Sequence, residues 1–383
     1  MTGEAMGPHG RSGAGRVLVA MSGGVDSSVT ARLLLDEGYE CVGATMRLYD
    51  ESTAGRSSGE PCGNERDIRD AAALAAQLGI DHHVIDCRAQ FDRDVIERFV
   101  SAYESGLTPN PCVLCNRSLK FGRLFEVADE LGCDYVATGH YARIERDGDG
   151  TPRLLKGVDP RKDQSYFLYA LTPDRLERTL FPLGGLTKDG DVRRIAREHG
   201  FGTASKSDSQ GICFVADNDF ASFIERRRGR ELPEGDVVNA AGEVLGRHRG
   251  AIRYTIGQRK GLGVAMAHPV FVTRVDAALN TVVLGESEDL EARGLVAGDW
   301  TWCVAPGGAE TALDDAGGRG LEVRAKVRYH QPDQAARLMR GERDGEMRLE
   351  FESPQRAIAP GQAVVVYDGD MVLGGGTAMA AIA

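Results

Sequence analysis

Two cysteine-bearing segments and one glycine-serine loop carry the residues best suited to chemistry. The thiol segments are Thr108-Pro109-Asn110-Pro111-Cys112-Val113-Leu114-Cys115-Asn116 and Ser207-Asp208-Ser209-Gln210-Gly211-Ile212-Cys213-Phe214. Each holds its thiol in a polar stretch containing Gly or Pro, and Cys115 is expected at the start of a helix. A helix N-terminus raises the thiolate fraction of a nearby cysteine. Two loop thiols brought together could carry sulfur as a persulfide and resolve it as a disulfide. The residue types leave two other readings open. Cys112 and Cys115 form a C-x-x-C pair, although zinc needs two further ligands and no second C-x-x-C or His pair is visible. The thiols could also be inert.

The loop is Ala20-Met21-Ser22-Gly23-Gly24-Val25-Asp26-Ser27-Ser28. Adjacent glycines let backbone N–H groups turn inward as an anion nest, and the serines add hydroxyl donors. A helix starting here would point its positive end at the same spot. The Lys and spacing of the Walker loop are absent, and the dinucleotide GxGxxG pattern cannot be placed. SGGVDSS instead resembles the pyrophosphatase-loop (PP-loop) ATPases, which cut ATP between the α and β phosphates. That resemblance alone leaves many substrates open, amide ligases and tRNA modifiers among them.

These residues need elements to hold them. From Arg16 to about Ala142, short apolar runs (RVLVAM, YECVGATM, DHHVIDC, DYVATGH) alternate with helical stretches. The helices are expected over SSVTARLLLDEG, stopped at Gly38, over NERDIRDAAALAAQLG, near 93–105, and over 116–131. Strand and helix in alternation imply a parallel sheet wound on both faces. One more helix is expected near 188–199. Past Asp236 come short alternating runs split by Gly, Asp and Asn, which suggest small all-β modules. The expected division is a loose tail over 1–15, a catalytic α/β domain over 16–210, a β-rich central domain over 211–288 and a C-terminal β-barrel over 289–383. The insert from Asp50 to Gly63, which contains Cys62, looks disordered.

The chain has 383 residues, of which 42% are hydrophobic and 27% charged, the make-up of a globular protein rather than a disordered one. No run approaches the roughly 20 apolar residues of a membrane span. A cytoplasmic-type protein is expected, with no membrane partner. Forty-six Lys and Arg against 57 Asp and Glu give a net charge of −11, which argues against coating nucleic acid by bulk charge. Local basic clusters remain, at Arg226, Arg227, Arg228 and Arg230, and at Arg324, Lys326, Arg328, Arg337, Arg340 and Arg343. Eight cysteines without a secretion signal are expected to be reduced. Cys41, Cys87 and Cys133, in apolar runs, read as small buried hydrophobes.

Seven segments in order, AMSGGVDSS, TPNPCVLCNRSLKFG, ATGHYAR, KDQSYFLYAL, SDSQGICF, YTIGQRKGLG and APGQAVVVYDGD followed by LGGG, give a chain that resembles the tRNA-specific 2-thiouridylase family from Arg16 to the C-terminus. The resemblance implies a Rossmann-like PP-loop (adenine nucleotide alpha hydrolase-like) domain. It also implies sulfur replacing O2 of the wobble uridine of tRNA for Lys, Glu and Gln, after adenylation of that oxygen by Mg-ATP. Ala20, Met21, Ser22, Gly23, Gly24, Val25, Asp26 and Ser27 would hold ATP, with Met46 and Gly139 on the adenosine side. Cys213 would bear the persulfide and Cys115 would be the second catalytic thiol, joined to Cys213 by a disulfide during turnover. Asn110, Pro111 and Cys112 match the segment that meets the base. His140, Lys162, Asp163, Gln164, Arg328, Tyr329 and Gln362 match tRNA contacts.

A cysteine desulfurase or sulfur carrier would be a further partner. Many family members have Asp where this chain has Cys112, so a carboxylate proposed to assist proton transfer is missing. Cys112, Cys115 and Cys213 could alternatively hold an iron–sulfur cluster with one iron open to sulfide. The terminal barrel is expected to grip the anticodon arm. The central piece, with YTIGQRKGLG and the RRRGR run, is expected to touch the stem or the sulfur donor. Two rival readings are another PP-loop ligase acting on a small metabolite and a non-enzymatic tRNA-binding protein.

Overall fold

The computed structural model describes residues 14–49, 65–206, 211–215, 219–305 and 307–383. Most of the tail, the whole Asp50–Gly63 insert with Cys62, and 207–210 of the second thiol segment lie outside the described residues.

β1 (Arg16–Ala20), β2 (Glu40–Arg47), β3 (Asp81–Asp86), β4 (Tyr135–Ala137) and β7 (Thr179–Leu180) form one sheet in the order β3-β2-β1-β4-β7, all pairs parallel. Parallel strands are covered on both faces, so their residues are apolar in both directions. In β1 the side chains of Val17 and Val19 belong to a core with helices Val25–Asp36 and Glu65–Leu78. Leu18 belongs to the other core, with Phe91, Phe99 and Phe125. Strand order reverses direction at β1, which has β2 on one side and β4 on the other. The crevice at the carboxyl ends of such strands is where open α/β sheets bind ligands. Gly38 ends the first helix with φ +85°, a conformation glycine adopts without steric penalty.

Two helices differ from the sequence expectation. A continuous helix covers 88–104, starting at Arg88 rather than near Arg93. Another covers 111–130, with Pro111 as its first residue and Asn110 as its cap. Proline suits that position because it lacks an N–H that would be unbonded anyway. Cys112 is therefore in the first turn and Cys115 a turn further on. The helix dipole fades within its first turn, so its positive end acts most directly on Cys112.

The central module is a four-stranded sheet of β8 (Gly235–Asn239), β9 (Val244–His248), β10 (Phe271–Asp276) and β11 (Thr281–Gly285), in the order β10-β11-β8-β9, with its own small core. The barrel comprises β12 (Glu291–Trp302), β13 (Leu321–Lys326), β14 (Gln334–Arg340), β15 (Met347–Arg356), β16 (Ala363–Asp368) and β17 (Met371–Ile382). Pairing of β12 with β17 closes it. Closure removes exposed strand edges.

A hairpin of β5 (Ala142–Arg146) and β6 (Pro152–Lys156) leaves the first domain and joins the barrel sheet, with Met371 opposite Leu155. Sequence reading placed no strands there. The hairpin is half exposed along its length, and its pairing partner lies more than two hundred residues downstream. More bonds fasten the same seam. Thr108 N–H donates to Pro360 O at 2.8 Å, Tyr166 OH to Ala363 O at 2.7 Å, and Arg117 to Asp299 at 2.7 Å.

Candidate active site

The glycine-serine loop leaves β1 at the crevice. Gly23 has φ +68°, and a Cβ there would sit 2.5 Å from the Asp67 carbonyl oxygen, so no other residue fits. The helix begins at Val25 with Gly24 as a cap that has no side chain to satisfy the first N–H groups. Those donors are left for an anion. Ser27 and Ser28 hydroxyls both donate to Gly24 O, at 3.1 and 2.9 Å, and Ser22 N–H donates to Ser27 Oγ at 3.2 Å. Gly139, at the end of β4, faces the same loop. A Cβ on it would stand 2.9 Å from Asp26 Cβ.

Beneath the loop is a charge pair that the sequence did not single out. Lys188 is 1% exposed, and its Nζ donates to both Asp26 carboxylate oxygens at 2.7 Å. Tyr141 OH donates to Asp26 Oδ1 at 2.7 Å, and Lys188 N–H donates to Asp159 Oδ2 at 3.1 Å. Burying a lysine stem is tolerable only with a partner this close. The Asp26 carboxylate is thereby committed to a protein cation.

The two thiol segments rest on one apolar cluster. Cys115 and Cys213 are half-buried and pack against it, as do Ala20 and Met46 from the ends of β1 and β2, and Tyr329 from the barrel. Phe214 anchors the second segment, 5.6 Å from Phe91 and 5.2 Å from Phe99 between ring centroids, both edge-on. Cys112 is exposed. Cys87 is buried beside Cys115. Burial pushes its thiol up to about 11, against the opposing pull of Arg123, and Cys115 is among the neighbours that raise it further. Cys87 is thus a core residue, as are Cys41 and Cys133.

The residues matched to RNA contact split into two groups. At the seam with the barrel, the Tyr329 ring packs tilted against Phe167 at 4.5 Å between centroids, and the Phe167 carbonyl accepts from Asn116 Nδ2 at 2.9 Å. Burial, then the charges of Asp163, Asp159 and Cys112, push the Tyr329 phenol up to about 12. Arg328 donates to Ala357 O, and partial desolvation of its guanidinium lowers its affinity for its proton. Gln362 follows Gly361, where a Cβ would meet Leu107 and Thr108 at 2.9 Å. The Asn110–Cys112 turn, Tyr329 and Gln362 therefore border one seam.

The second group makes side-chain bonds within the protein. Asp163 is 6% exposed. Its Oδ1 accepts from Gly157 N–H and Ser165 N–H, and its Oδ2 from Ser165 Oγ at 3.0 Å. Gln164 Oε1 accepts from Tyr141 N–H at 3.0 Å. These two side chains shape the turn that presents Lys162. His140 lies between Phe121 and Phe181, with Nδ1 2.6 Å from Thr138 Oγ1 and Nε2 3.5 Å from Lys120 Nζ. Burial, with help from Lys120, drives it well below the ordinary histidine value. His140 and Asp163 are buried and Gln164 is half-buried, and the bonds named here are made inside the protein, as a buried polar group requires.

Two of the four arginines of the RRRGR run are tied up within the protein. Arg227 forks onto Asp92 at 2.8 and 2.9 Å, and Arg228 reaches Glu97 and Glu104 at 2.7 and 2.8 Å. They fasten helix Phe220–Arg228 to helix 88–104, leaving Arg226 and Arg230 exposed. In the barrel cluster, Arg324 pairs with Asp333 and Arg340 with Asp314.

Among the described residues no group of three His, Cys, Asp or Glu side chains is placed to hold a metal ion. Cys112, Cys115 and Cys213 thus do not form a cluster ligand set in this arrangement. Among the same residues no helix is long and apolar enough to cross a membrane.

Three family models match: a tRNA methyl transferase HUP domain over residues 15–217, a tRNA methyl transferase PRC-barrel domain over 221–286 and an aminomethyltransferase beta-barrel domain over 292–378. The tRNA-specific 2-thiouridylase MnmA of Geobacter metallireducens is 49% identical over 366 residues, covering 94% of this chain and 96% of the relative. That of Geotalea uraniireducens is 48% identical over 365 residues, covering 94% of each. Among solved structures, a 4-thiouridine synthetase in complex with RNA and ATP aligns with 56% of this chain and 50% of its own at 16% identity and a TM-score of 0.35. Near-complete coverage at almost half identity settles the relationship: the chain belongs to the tRNA-specific 2-thiouridylase MnmA family.

Proposed function

We propose that this protein replaces O2 of the wobble uridine with sulfur in tRNA for Lys, Glu and Gln, using Mg-ATP. The observation that supports the reading is the common apolar cluster. It carries Ala20 and Met46 at the nucleotide crevice together with the thiol-bearing residues Cys115 and Cys213. A base extruded into this seam would meet both an adenylating nucleotide and a sulfur donor. Enzymes that act on bases must take them out of the stack, and an anticodon loop makes that inexpensive.

The uracil O2 attacks the α phosphate and pyrophosphate leaves. The loop N–H groups and the helix N-terminus oppose the charge that develops there. Cys213 carries a terminal persulfide sulfur, delivered by a cysteine desulfurase or a carrier protein. That sulfur attacks C2, and AMP departs with the original O2. Cys115 thiolate then attacks Cys213 Sγ. The sulfur–sulfur bond to the base breaks, 2-thiouridine is released, and a Cys115–Cys213 disulfide remains. An external thiol reductant restores both cysteines. No carboxylate stands at position 112, and Cys112 with the nearby Tyr329 phenol borders the base instead. Lys162, Arg328, Tyr329 and Gln362 line the tRNA side.

The test is nucleoside mass spectrometry of unmodified tRNA-Lys incubated with the protein, Mg-ATP and a persulfide-generating desulfurase. Thiouridine that requires ATP and is lost in Cys213→Ser is the expected result. Activity that survives Cys115→Ser and Cys213→Ser together would favour a PP-loop ligase acting on another substrate. tRNA binding without pyrophosphate release would favour a non-enzymatic role.

A further inference from the structure

The first thiol segment places two cysteines in one turn of a helix that is held on both sides. Helix 111–130 begins at Pro111, and its Asn110 cap makes no side-chain bond to the first turn. Thr108 N–H donates to Pro360 O at 2.8 Å before that turn, and Asn116 Nδ2 donates to Phe167 O at 2.9 Å after it. Cys112 is exposed near Tyr329, whose phenol feels its charge, whereas Cys115 is half-buried against the apolar cluster beside Cys87. Residues three apart on a helix hold their Cβ atoms about 5–6 Å apart, and a disulfide needs about 3.5–4.5 Å. A closure of about 1–2 Å bridges the difference, and a fraying first turn supplies it. Either Cys87 or Cys112 could exchange with a disulfide on Cys115. Cys87 is 2% exposed and burial pushes its thiol up to about 11, so almost none of it is thiolate near neutrality. Cys112 is open to solvent and stands where the positive end of the helix acts most directly, which favours its thiolate.

We propose that Cys112 is the resolving thiol of the sulfur-transfer cycle: it attacks Cys115 Sγ of the Cys115–Cys213 disulfide and moves the disulfide onto the Cys112–Cys115 pair. This rests on the thiolation cycle proposed above and carries it on from the disulfide. The Cys112 thiol gives up its proton, and its thiolate forms a bond to Cys115 Sγ. The Cys115–Cys213 bond breaks, and its electron pair leaves on Cys213 Sγ, which takes up a proton. The exchange involves no net oxidation or reduction, and Cys213 is returned as a thiol ready for a new persulfide. An external dithiol then attacks Cys112 Sγ, Cys115 leaves as a thiolate, and the dithiol ends as its own disulfide. Access decides the route. Cys115 and Cys213 are half-buried, so a disulfide between them presents little sulfur to a reductant, while one that includes Cys112 presents an attackable atom. A carboxylate at position 112 could not take this part.

The experiment follows the disulfide. Full-length protein is loaded with persulfide by a desulfurase, desalted, and mixed with unmodified tRNA-Lys and Mg-ATP without reductant. Samples are quenched with N-ethylmaleimide over time and digested with trypsin. Cleavage after Arg98, Arg117 and Lys206 puts Cys112 and Cys115 on one peptide and Cys213 on another. Wild type should show the Cys115–Cys213 cross-link first, and then its loss into a Cys112–Cys115 peptide that is lighter by two hydrogens and closed to the maleimide. Cys112→Ser should stop at the cross-link. So should Cys112→Asp, which supplies a carboxylate for proton transfer but has no sulfur to give. The readout is the place of the disulfide, so a slower first turnover in either variant leaves it intact. Thiouridine made by wild type with a cross-link that never moves, or with no disulfide at all, overturns the resolving role. So does a cross-link in Cys112→Asp that added dithiothreitol opens as fast as it restores the wild type. Neither thiouridine nor cross-link in wild type refutes the thiolation cycle itself, and the resolving step with it.

Discussion

The ion pair under the phosphate loop gives the sharpest quantitative expectation. Lys188 is 1% exposed and donates twice to Asp26, whose side chain is about a third exposed. Breaking a fully buried pair from one side costs about 3–5 kcal/mol, because an uncompensated charge stays behind. Water reaches Asp26 from the loop side, so Lys188→Met belongs at the lower end, about 3 kcal/mol. For a domain of about 200 residues, 1 kcal/mol corresponds to about 2–4 °C. The expected drop is then about 6–12 °C in the transition of the first domain. Asp26→Asn strands the lysine instead, and its cost should be similar. The double variant leaves no charge unpaired and should lose markedly less than the sum, with an interaction energy of about 2 kcal/mol. Thermal or urea unfolding of the four proteins measures the cycle. Losses that simply add, to within about 0.5 kcal/mol, would refute the claim that the pair acts as a unit.

Four other outcomes follow from the geometry. Gly23→Ala places a Cβ against the Asp67 carbonyl at a positive φ, so it should abolish tRNA-dependent pyrophosphate release in a protein that still folds by circular dichroism. Arg227→Ala with Arg228→Ala should lower stability by about 1 kcal/mol while leaving tRNA affinity unchanged, as befits a partly exposed network; a fall in affinity would restore the run as an RNA contact. His140 is held neutral in the fold, so below about pH 6.5 the unfolded chain binds the extra proton and stability falls with pH, by at most about 1.4 kcal/mol per unit. Urea titrations at about pH 7 and about pH 5.5 should show a smaller acid loss in His140→Gln than in wild type, and equal losses would contradict the assignment. Cys87→Ser should retain thiouridine formation in the assay that Cys213→Ser fails, because Cys87 is a core residue and not a carrier of sulfur.

Local sequence was enough for what depends on neighbours along the chain. The adjacent glycines and serines at 22–28 specify an anion nest wherever a strand precedes and a helix follows. Apolar runs alternating with helical periodicity specify a doubly covered parallel sheet, and the structure has one. Gly38 at the end of the first helix was legible for the same reason. Cys41, Cys87 and Cys133 could be recognised as core residues from the strands that contain or adjoin them. What depends on packing between distant segments could not be read this way. The β5–β6 hairpin is an isolated half-exposed pair until β17 gives it an edge to extend. His140, Asp163 and Gln164 are polar residues in loop-like sequence, and only the arrival of Phe121, Phe181, Gly157 and Tyr141 gives their side chains partners inside the protein.

The arginine run looks like a basic face until helix 88–104 brings Asp92, Glu97 and Glu104 against it. Lys188 and Asp26 stand far apart in the chain, and no periodicity announces their pairing. The sequence by itself determined which groups have the chemistry, because a thiol, a glycine nest or a proline at a helix start acts through its own covalent structure and its immediate neighbours. The tertiary structure alone decided which charges are neutralised, which polar groups are withdrawn from solvent and which thiol-bearing residues share a surface. Those outcomes depend on desolvation and on distances between segments that no local pattern encodes.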